Sequence, residues 1–241
     1  MALFQPDPSL YSPWSALEKS VSDDKPSIPV ASNARRFDEL AAQWDSNPIR
    51  QALSAAVVKA MVQRLSLQPT MKVMDFGAGT GLVTLGIQPC VGTIVAADVS
   101  PKMLEVLASK LSSIGIANVR TRCWDAESGD CPESGFDVII SSMAMHHIAD
   151  TGALLKRLHA ALKPGGRLAF ADLDAEDGSF HPDPTGVYHK GFDRQAITGQ
   201  LEAAGFADVT LHDAHVIHKP GADGRERGYP VFLAVACRGG P

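Results

Sequence analysis

With 241 residues, 45% hydrophobic and 20% charged, the chain is long and apolar enough for one sizeable soluble domain with a buried core. Its net charge of -5 and the lack of any run of Lys or Arg argue against a nucleic-acid partner, because neutralising a phosphate backbone takes a basic face. No apolar run approaches the roughly eighteen residues of a membrane span, and the opening Met-Ala-Leu-Phe-Gln-Pro-Asp-Pro lacks the basic-then-apolar order of a signal peptide.

Residues 1–32 carry Pro6, Pro8, Pro13, Pro26 and Pro29 among serines and read as an extension without a strand, followed by a single domain over 33–241. Phe37, Leu40, Ala41 and Trp44 recur at i, i+3, i+4 and i+7, which predicts a helix ended by Asn47-Pro48; a second, Ala-rich helix follows over 49–65. Core packing accounts for most of these apolar side chains. The alternative is that 33–65 forms lid helices whose aromatic face, Trp44 included, closes over a ligand.

Lys72 to Gly81, Lys-Val-Met-Asp-Phe-Gly-Ala-Gly-Thr-Gly, reads as a buried strand breaking into a glycine turn and a short helix, Leu82 to Ile87. Glycine lets a ligand approach the backbone closely. A dinucleotide loop spaced Gly-x-Gly-x-x-Gly would place glycine at position 82, which is Leu82. The acid ahead of the loop, Asp75, would repel a pyrophosphate and suits a ligand carrying an ammonium or sulfonium charge.

Gly92 to Asp98 is a β-branched apolar run ending in an acid, and Ser100-Pro101 caps a helix that runs to Ile114 and stops at Gly115. Asn118 to Trp124 is a third strand, ended by Asp125, and Phe136 to Ser141 a fourth, followed by Ser142-Met143-Ala144-Met145-His146-His147. A helix over 151–162 stops at Lys163-Pro164-Gly165-Gly166, read as a turn, before a fifth strand over 167–173. Residues 174–190 are polar and too long for an ordinary connection, hence a functional-loop candidate. The last helix covers 194–205, and two strands near 209–211 and 231–237 form an antiparallel edge hairpin. Strands alternating with helices predict a parallel sheet covered on both faces. Cys90, Cys123, Cys131 and Cys237 show no Cys-x-x-Cys spacing, so neither a disulfide framework nor a zinc site is expected, and the compartment expected is the reducing cytoplasm.

Asp75, Asp98 and Asp125 all end strands, and Asp98 lies seventeen residues after Gly81, near the offset at which an acid grips ribose hydroxyls in nucleotide-binding sheets. Because ligands bind beyond the carboxyl ends of parallel strands, the three acids converge on one cleft. These residues, with Ala-Asp-Val-Ser, Trp-Asp-Ala, Phe-Asp-Val-Ile-Ile-Ser-Ser, His-His-Ile and Leu-Lys-Pro-Gly-Gly-Arg-Leu, resemble class I S-adenosylmethionine-dependent methyltransferases, in the group that includes ubiquinone and menaquinone biosynthesis enzymes. The resemblance covers roughly residues 35–237 and is specific for no substrate.

The resemblance implies a Rossmann-like three-layer α/β/α sandwich, its seven-stranded, mostly parallel sheet closed by the antiparallel hairpin. It implies S-adenosyl-L-methionine as cofactor, with Gly77-Ala78-Gly79 and Gly81 around the methionine part and Asp75 near its amino group. Asp98 would take the ribose hydroxyls, Val99 and Met103 the adenine faces, Asp125 and Ala126 the adenine edge. Ser142 and Met143 would line the passage to the acceptor. A sulfonium methyl is already electrophilic, so the protein mainly aligns an acceptor and excludes water. A general base is needed only for an acceptor that loses a proton early, and the candidates are His147, His181 and His189, each with a plain structural or surface alternative. Phe180, Tyr188 and Phe192, with Trp44, are expected to wall a pocket for a small, partly aromatic acceptor. The acids between Asp172 and His181 do not match a magnesium-binding pattern, and no metal is expected. The competing readings are transfer to a protein or RNA, a non-catalytic cofactor-binding regulator, and an NAD-dependent oxidoreductase, which Asp75 and Leu82 count against.

Overall fold

A computed structural model describes residues 32–127, 129–221 and 224–240. The extension expected over 1–32 lies outside them except for Ser32, at which helix α1 (Ser32–Leu40) begins. The helix expected to reach Trp44 ends at Leu40 and tightens into a 3-10 turn, Ala41–Ser46. Helix α2 (Pro48–Leu65) starts with Pro48 in its first turn, where a missing N–H costs nothing, and Asn47 accepts from the Ile49 N–H at 2.9 Å. Its buried residues, Leu53, Val57, Met61 and Leu65, fall four apart on one face.

The strands are β1 (Lys72–Phe76), β2 (Thr93–Asp98), β3 (Val119–Cys123), β4 (Phe136–Ser142), β5 (Leu162–Leu173), β6 (Phe206–Pro220) and β7 (Glu226–Arg238). The further helices are α3 (Leu82–Ile87), α4 (Pro101–Ile114), α5 (Thr151–Ala161) and α6 (Arg194–Ala203). One sheet holds all seven strands in the order β3-β2-β1-β4-β5-β7-β6. β7 runs antiparallel to both neighbours, and the other pairings are parallel. This is the Rossmann-like mostly parallel sheet with an antiparallel edge hairpin.

The alternation of side chains along each strand builds two cores. Val73, Ile94, Ile140 and Leu233 pack under α2, α3 and α4. Met74, Val95, Ile139 and Phe232 pack under α5 and α6, through Leu154, Leu158, Ile197 and Leu201. Chain order reverses between β1 and β4, so the carboxyl end of β1 opens on the crevice where this architecture binds ligands.

Candidate functional site

A cavity of about 390 Å³ occupies that crevice. Its floor is the loop after β1. The N–H groups of Gly77 and Ala78 both donate to the Ala97 carbonyl, at 2.8 and 3.1 Å, which curls the loop against β2. Gly77 has φ +69°, and a Cβ there would sit 2.4 Å from that of Ala144; Gly79 has φ +54° and a Cβ there would meet nothing within 4 Å. Gly77 is therefore glycine because of packing, whereas Gly79 leaves its space to the cavity it lines.

Two buried acids flank the loop. The Asp98 carboxylate accepts from the Gly79 and Ser100 N–H groups, each at 2.8 Å, tying the loop to the end of β2. Burial raises the Asp98 carboxyl above its ordinary range, against the backbone bonds that favour its charge. Asp75 is 1% exposed and accepts from the Thr84 hydroxyl. Burial pushes it up to about 7, the Thr84 bond opposing and Asp98 adding to the rise. A buried carboxyl poised near neutrality is costly to keep charged without a cationic partner. Beyond β3, Trp124, Asp125 and Ala126 line the far wall, and Asp125 accepts from the Glu127 N–H at 2.9 Å.

The roof comes from α1 and the 3-10 turn. Phe37 and Trp44 line the cavity and meet edge to face at 5.9 Å, and the Arg50 guanidinium lies 3.7 Å over the Trp44 ring. Asp45 accepts from the Thr80 hydroxyl and pairs with Lys110, whose ammonium also donates to the Thr80 carbonyl at 2.7 Å. Asp38 accepts from the Ser100 hydroxyl at 2.6 Å. The roof is thus fastened to the glycine loop and to the start of α4.

The remaining wall is a histidine cluster. His146 and His147 form a 3-10 turn after β4, and Met143 ahead of them holds φ +57°, strained for a side-chain-bearing residue. The His146 ring sits 4.1 Å from that of His147 and 5.0 Å from that of His181. His146 Nδ1 lies 2.7 Å from Asp172, which also accepts from the Leu173 N–H at 2.8 Å, and His147 Nδ1 donates to the Gly186 carbonyl at 2.7 Å. Burial holds His147 down at about 4 and His181 at about 3, the field of His146 adding to both, so these two rings are neutral near pH 7.

Against known proteins, the sequence profile of the family described as "Methyltransferase domain" matches residues 50–211. The chain belongs to the methyltransferase domain family. An uncharacterised methyltransferase of Schizosaccharomyces pombe is 33% identical over 168 residues, 64% of this chain and 57% of that protein. The ubiquinone/menaquinone biosynthesis C-methyltransferase UbiE of Vibrio vulnificus is 32% identical over 148 residues, 58% of this chain and 56% of that one. This chain spans about half the length of the curated relatives it matches. Among solved structures, the YcgJ protein of Bacillus subtilis aligns with a TM-score of 0.64 at 18% identity, over 77% of this chain and 99% of that one. An S-adenosylmethionine-dependent methyltransferase of Aquifex aeolicus aligns at 0.60 and 20%, over 85% and 97%.

S-adenosylmethionine is the cofactor of this methyltransferase domain, and the donor set fits it: an open backbone stretch at Gly79, a buried acid at about 7 for a cationic amine, and a second acid at the end of β2. Of the residues expected at the cofactor, Asp75, Gly77, Ala78, Gly79, Asp98, Val99, Met103, Asp125, Ala126, Ser142 and Met143 line the cavity. Gly81 does not. It starts α3 with φ +85°, and a Cβ there would strike Leu107 at 2.3 Å, so it serves the packing of the loop on α4.

On the acceptor side Trp44, Phe180, His147 and His181 line the cavity, and three expected residues do not. His189 is turned to the Ile148 carbonyl at 2.9 Å. Tyr188 is 51% exposed, and Phe192 is buried in the α5–α6 core against Phe232. The sequence places the aromatic residues of the loop in one wall, but its backbone, latched by the Tyr188 and His189 N–H groups to the His146 carbonyl, sends them in different directions. No sequence motif singles out Ile217 or Lys219, and Asp172 stands out only as one of a run of acids. β6 runs to Pro220 rather than ending near Leu211 and so carries Ile217 and Lys219 into the cavity wall. The β-branched pair Val216-Ile217 inside the polar run 212–219 was the available signal. Cys123, in what reads as an apolar run, is exposed on β3. No helix among the described residues is long and apolar enough to cross a membrane.

Proposed function

We propose that this domain transfers the methyl group of S-adenosylmethionine to a small molecule held under the α1 roof. The observation that carries the reading is a single cavity whose floor has the glycine loop, Asp75 and Asp98, and whose other end has Trp44, Phe180, Lys219 and the histidine cluster. Bound at the floor, the cofactor supplies a methyl group already activated by its sulfonium. Asp75 would hold the cofactor's amine, and Asp98, with acceptor capacity left beyond its backbone bonds, its ribose hydroxyls. Asp125 and Ala126 would flank the adenine edge, and Met103 and Val99 its faces.

The chain's own contribution to transfer is alignment and exclusion of water. Phe37 and Trp44 close the cavity above, Leu53, Phe180 and Ile217 give an apolar seat, and Arg50 and Lys219 offer positive charge beside it. That mixture suits an acceptor with an apolar body and a polar or anionic tip. A roof over the acceptor end supports a small molecule over a folded protein or RNA. The domain is proposed to be one methyltransferase unit over 33–241 with its lid in 33–65.

Incubating the protein with cofactor carrying a labelled methyl group, together with fractionated extract, tests this. Label in small organic molecules is expected. Label confined to protein or RNA would overturn the acceptor class, and failure to bind S-adenosylhomocysteine in calorimetry would overturn the reading itself.

A further inference from the structure

The histidine cluster has a feature that methyl transfer does not require. His146, His147 and His181 each present a ring nitrogen, and the three atoms lie within 4.8 Å of one another. His146 is 1% exposed, and both its Nε2 and the Nε2 of His181 are buried without a hydrogen-bond partner. Asp172 fixes which kind of atom the His146 nitrogen is. A carboxylate only accepts, so Nδ1 of His146 carries a proton, and whenever the ring is neutral its lone pair sits on Nε2. The Gly186 carbonyl imposes the same tautomer on His147. Two buried, unpartnered ring nitrogens, those of His146 and His181, within reach of a third ring call for a shared electrophilic partner, and an imidazole whose other N–H is held by a carboxylate or carbonyl is the arrangement found behind metal-bound histidines.

We propose that His146, His147 and His181 bind one divalent transition-metal ion of the zinc class through their ring nitrogens, with Asp172 orienting His146 and one coordination position facing the acceptor end of the cavity. An all-imidazole donor set suits zinc, copper, nickel or iron and not magnesium or calcium. Zinc–nitrogen bonds of about 2.0–2.1 Å put tetrahedral ligands roughly 3.3 Å apart, so the cluster must draw in from its 4.8 Å spread. His181 supplies the movement, because it sits on the β5–α6 loop while the doublet is held by Asp172 and Gly186. The sequence spacing hid the site: two adjacent histidines and a third 34 residues on match no metal motif, and only the fold of β4 against β5 gathers them.

The ion's use rests on the transfer reading. Its open position would take an oxygen or nitrogen donor of the acceptor, and Arg36 and Lys219, which also line the cavity, favour a donor that arrives as an anion. The metal site itself stands on the three rings and survives failure of that reading.

The test uses the full chain stripped with a chelator, titrated with Zn²⁺ alone by calorimetry and with Co²⁺ alone by visible absorption. One ion per chain, Kd below about 10 μM, and Co²⁺ bands of a four- or five-coordinate site are expected. His181→Ala and His147→Ala should each weaken binding by roughly 100-fold or more, and Asp172→Asn by about 10–100-fold, while His189→Ala leaves it within twofold. Cooperative melting of each variant checks that it folds, and His181→Gln replaces His181→Ala if that variant does not. No binding at 100 μM ion (about ten times the expected Kd), or binding unchanged in the His181 variant, overturns the site. S-adenosylhomocysteine titrated into the same stripped protein reads the transfer cleft separately, so loss of one result is distinguishable from loss of the other.

Discussion

Asp172 Oδ1 lies 2.7 Å from His146 Nδ1 with both side chains fully buried, one at the end of β5 and the other in the turn after β4. The same carboxylate accepts from the backbone N–H groups of His146, at 3.3 Å, and Leu173. Removing it leaves three buried donors without their acceptor. Asp172→Ala is expected to lower stability by about 3–5 kcal/mol, read as a shift of the urea midpoint at unchanged slope. A shift under about 1 kcal/mol would mean that the pair does not hold the turn in place.

Asp98 is expected to separate cofactor affinity from folding. Charge-assisted hydrogen bonds contribute about 1.5–3 kcal/mol each, so Asp98→Asn, which loses the charge and turns an amide N–H toward the Gly79 or Ser100 N–H, should weaken S-adenosylhomocysteine binding by roughly 10–150-fold or more in calorimetry, with a melting curve of the variant reading the cost to folding separately. Equal affinity in the variant would remove the ribose role.

The Asp75 carboxyl gives a pH signature. Its folded pKa of about 7 exceeds the ordinary 3.8, so between those values the native state holds the proton that the unfolded chain has lost. This contribution is fully present below about pH 4 and fades as pH rises through 7, by an amount of the order of 4 kcal/mol. Asp75→Asn should therefore gain stability over the wild type from pH 4 to pH 8, and urea unfolding across that range reads the difference. If the carboxylate meets a cationic amine, cofactor binding near pH 7 releases a proton, seen as a binding enthalpy that depends on the buffer.

Two glycines of one loop predict opposite failures. Gly77→Ala drives a Cβ to 2.4 Å from Ala144 and should cost several kcal/mol of stability, overpacking adding to left-handed strain of about 1–2 kcal/mol. Gly79→Ala meets only the strain, so it should fold with a loss of about 1–2 kcal/mol and still lose S-adenosylhomocysteine binding, because its methyl occupies the cavity. Intact binding in a folded Gly79→Ala protein would move the cofactor away from the loop.

Much of this was legible in the sequence because a doubly covered parallel strand is largely apolar, so β2 and β4 announce themselves as Val- and Ile-rich runs and β1 as a short apolar run around Val73-Met74. An acid closing such a run is equally visible, and Asp75 and Asp98 were found that way. What stayed hidden follows from pairing. The start of β5, with Gly165 at φ +76°, carries the strong turn signal Lys163-Pro164-Gly165-Gly166, yet the strand continues through it by shifting register against β4. Most of β6 alternates polar and apolar residues because it is an edge strand with β7 as its one neighbour, and its short apolar stretch near Leu211 hid its reach to Lys219. Asp172 and His146 are 26 residues apart, and nothing local in either marks the other.

The fasteners of the roof set how the cavity exchanges its contents. Asp45 grips Thr80 and Lys110, and Asp38 grips Ser100, so the cover cannot lift without disturbing the floor that cradles the cofactor and the cap of the helix beside it. Exit through the roof is tied to breaking both grips, and the dwell time of an occupant then depends on how often they let go together as well as on its own contacts. Asp45→Ala should quicken release of S-adenosylhomocysteine in stopped flow by about 5–30-fold, the Thr80 hydrogen bond and the partly exposed Lys110 pair together contributing roughly 1–2 kcal/mol.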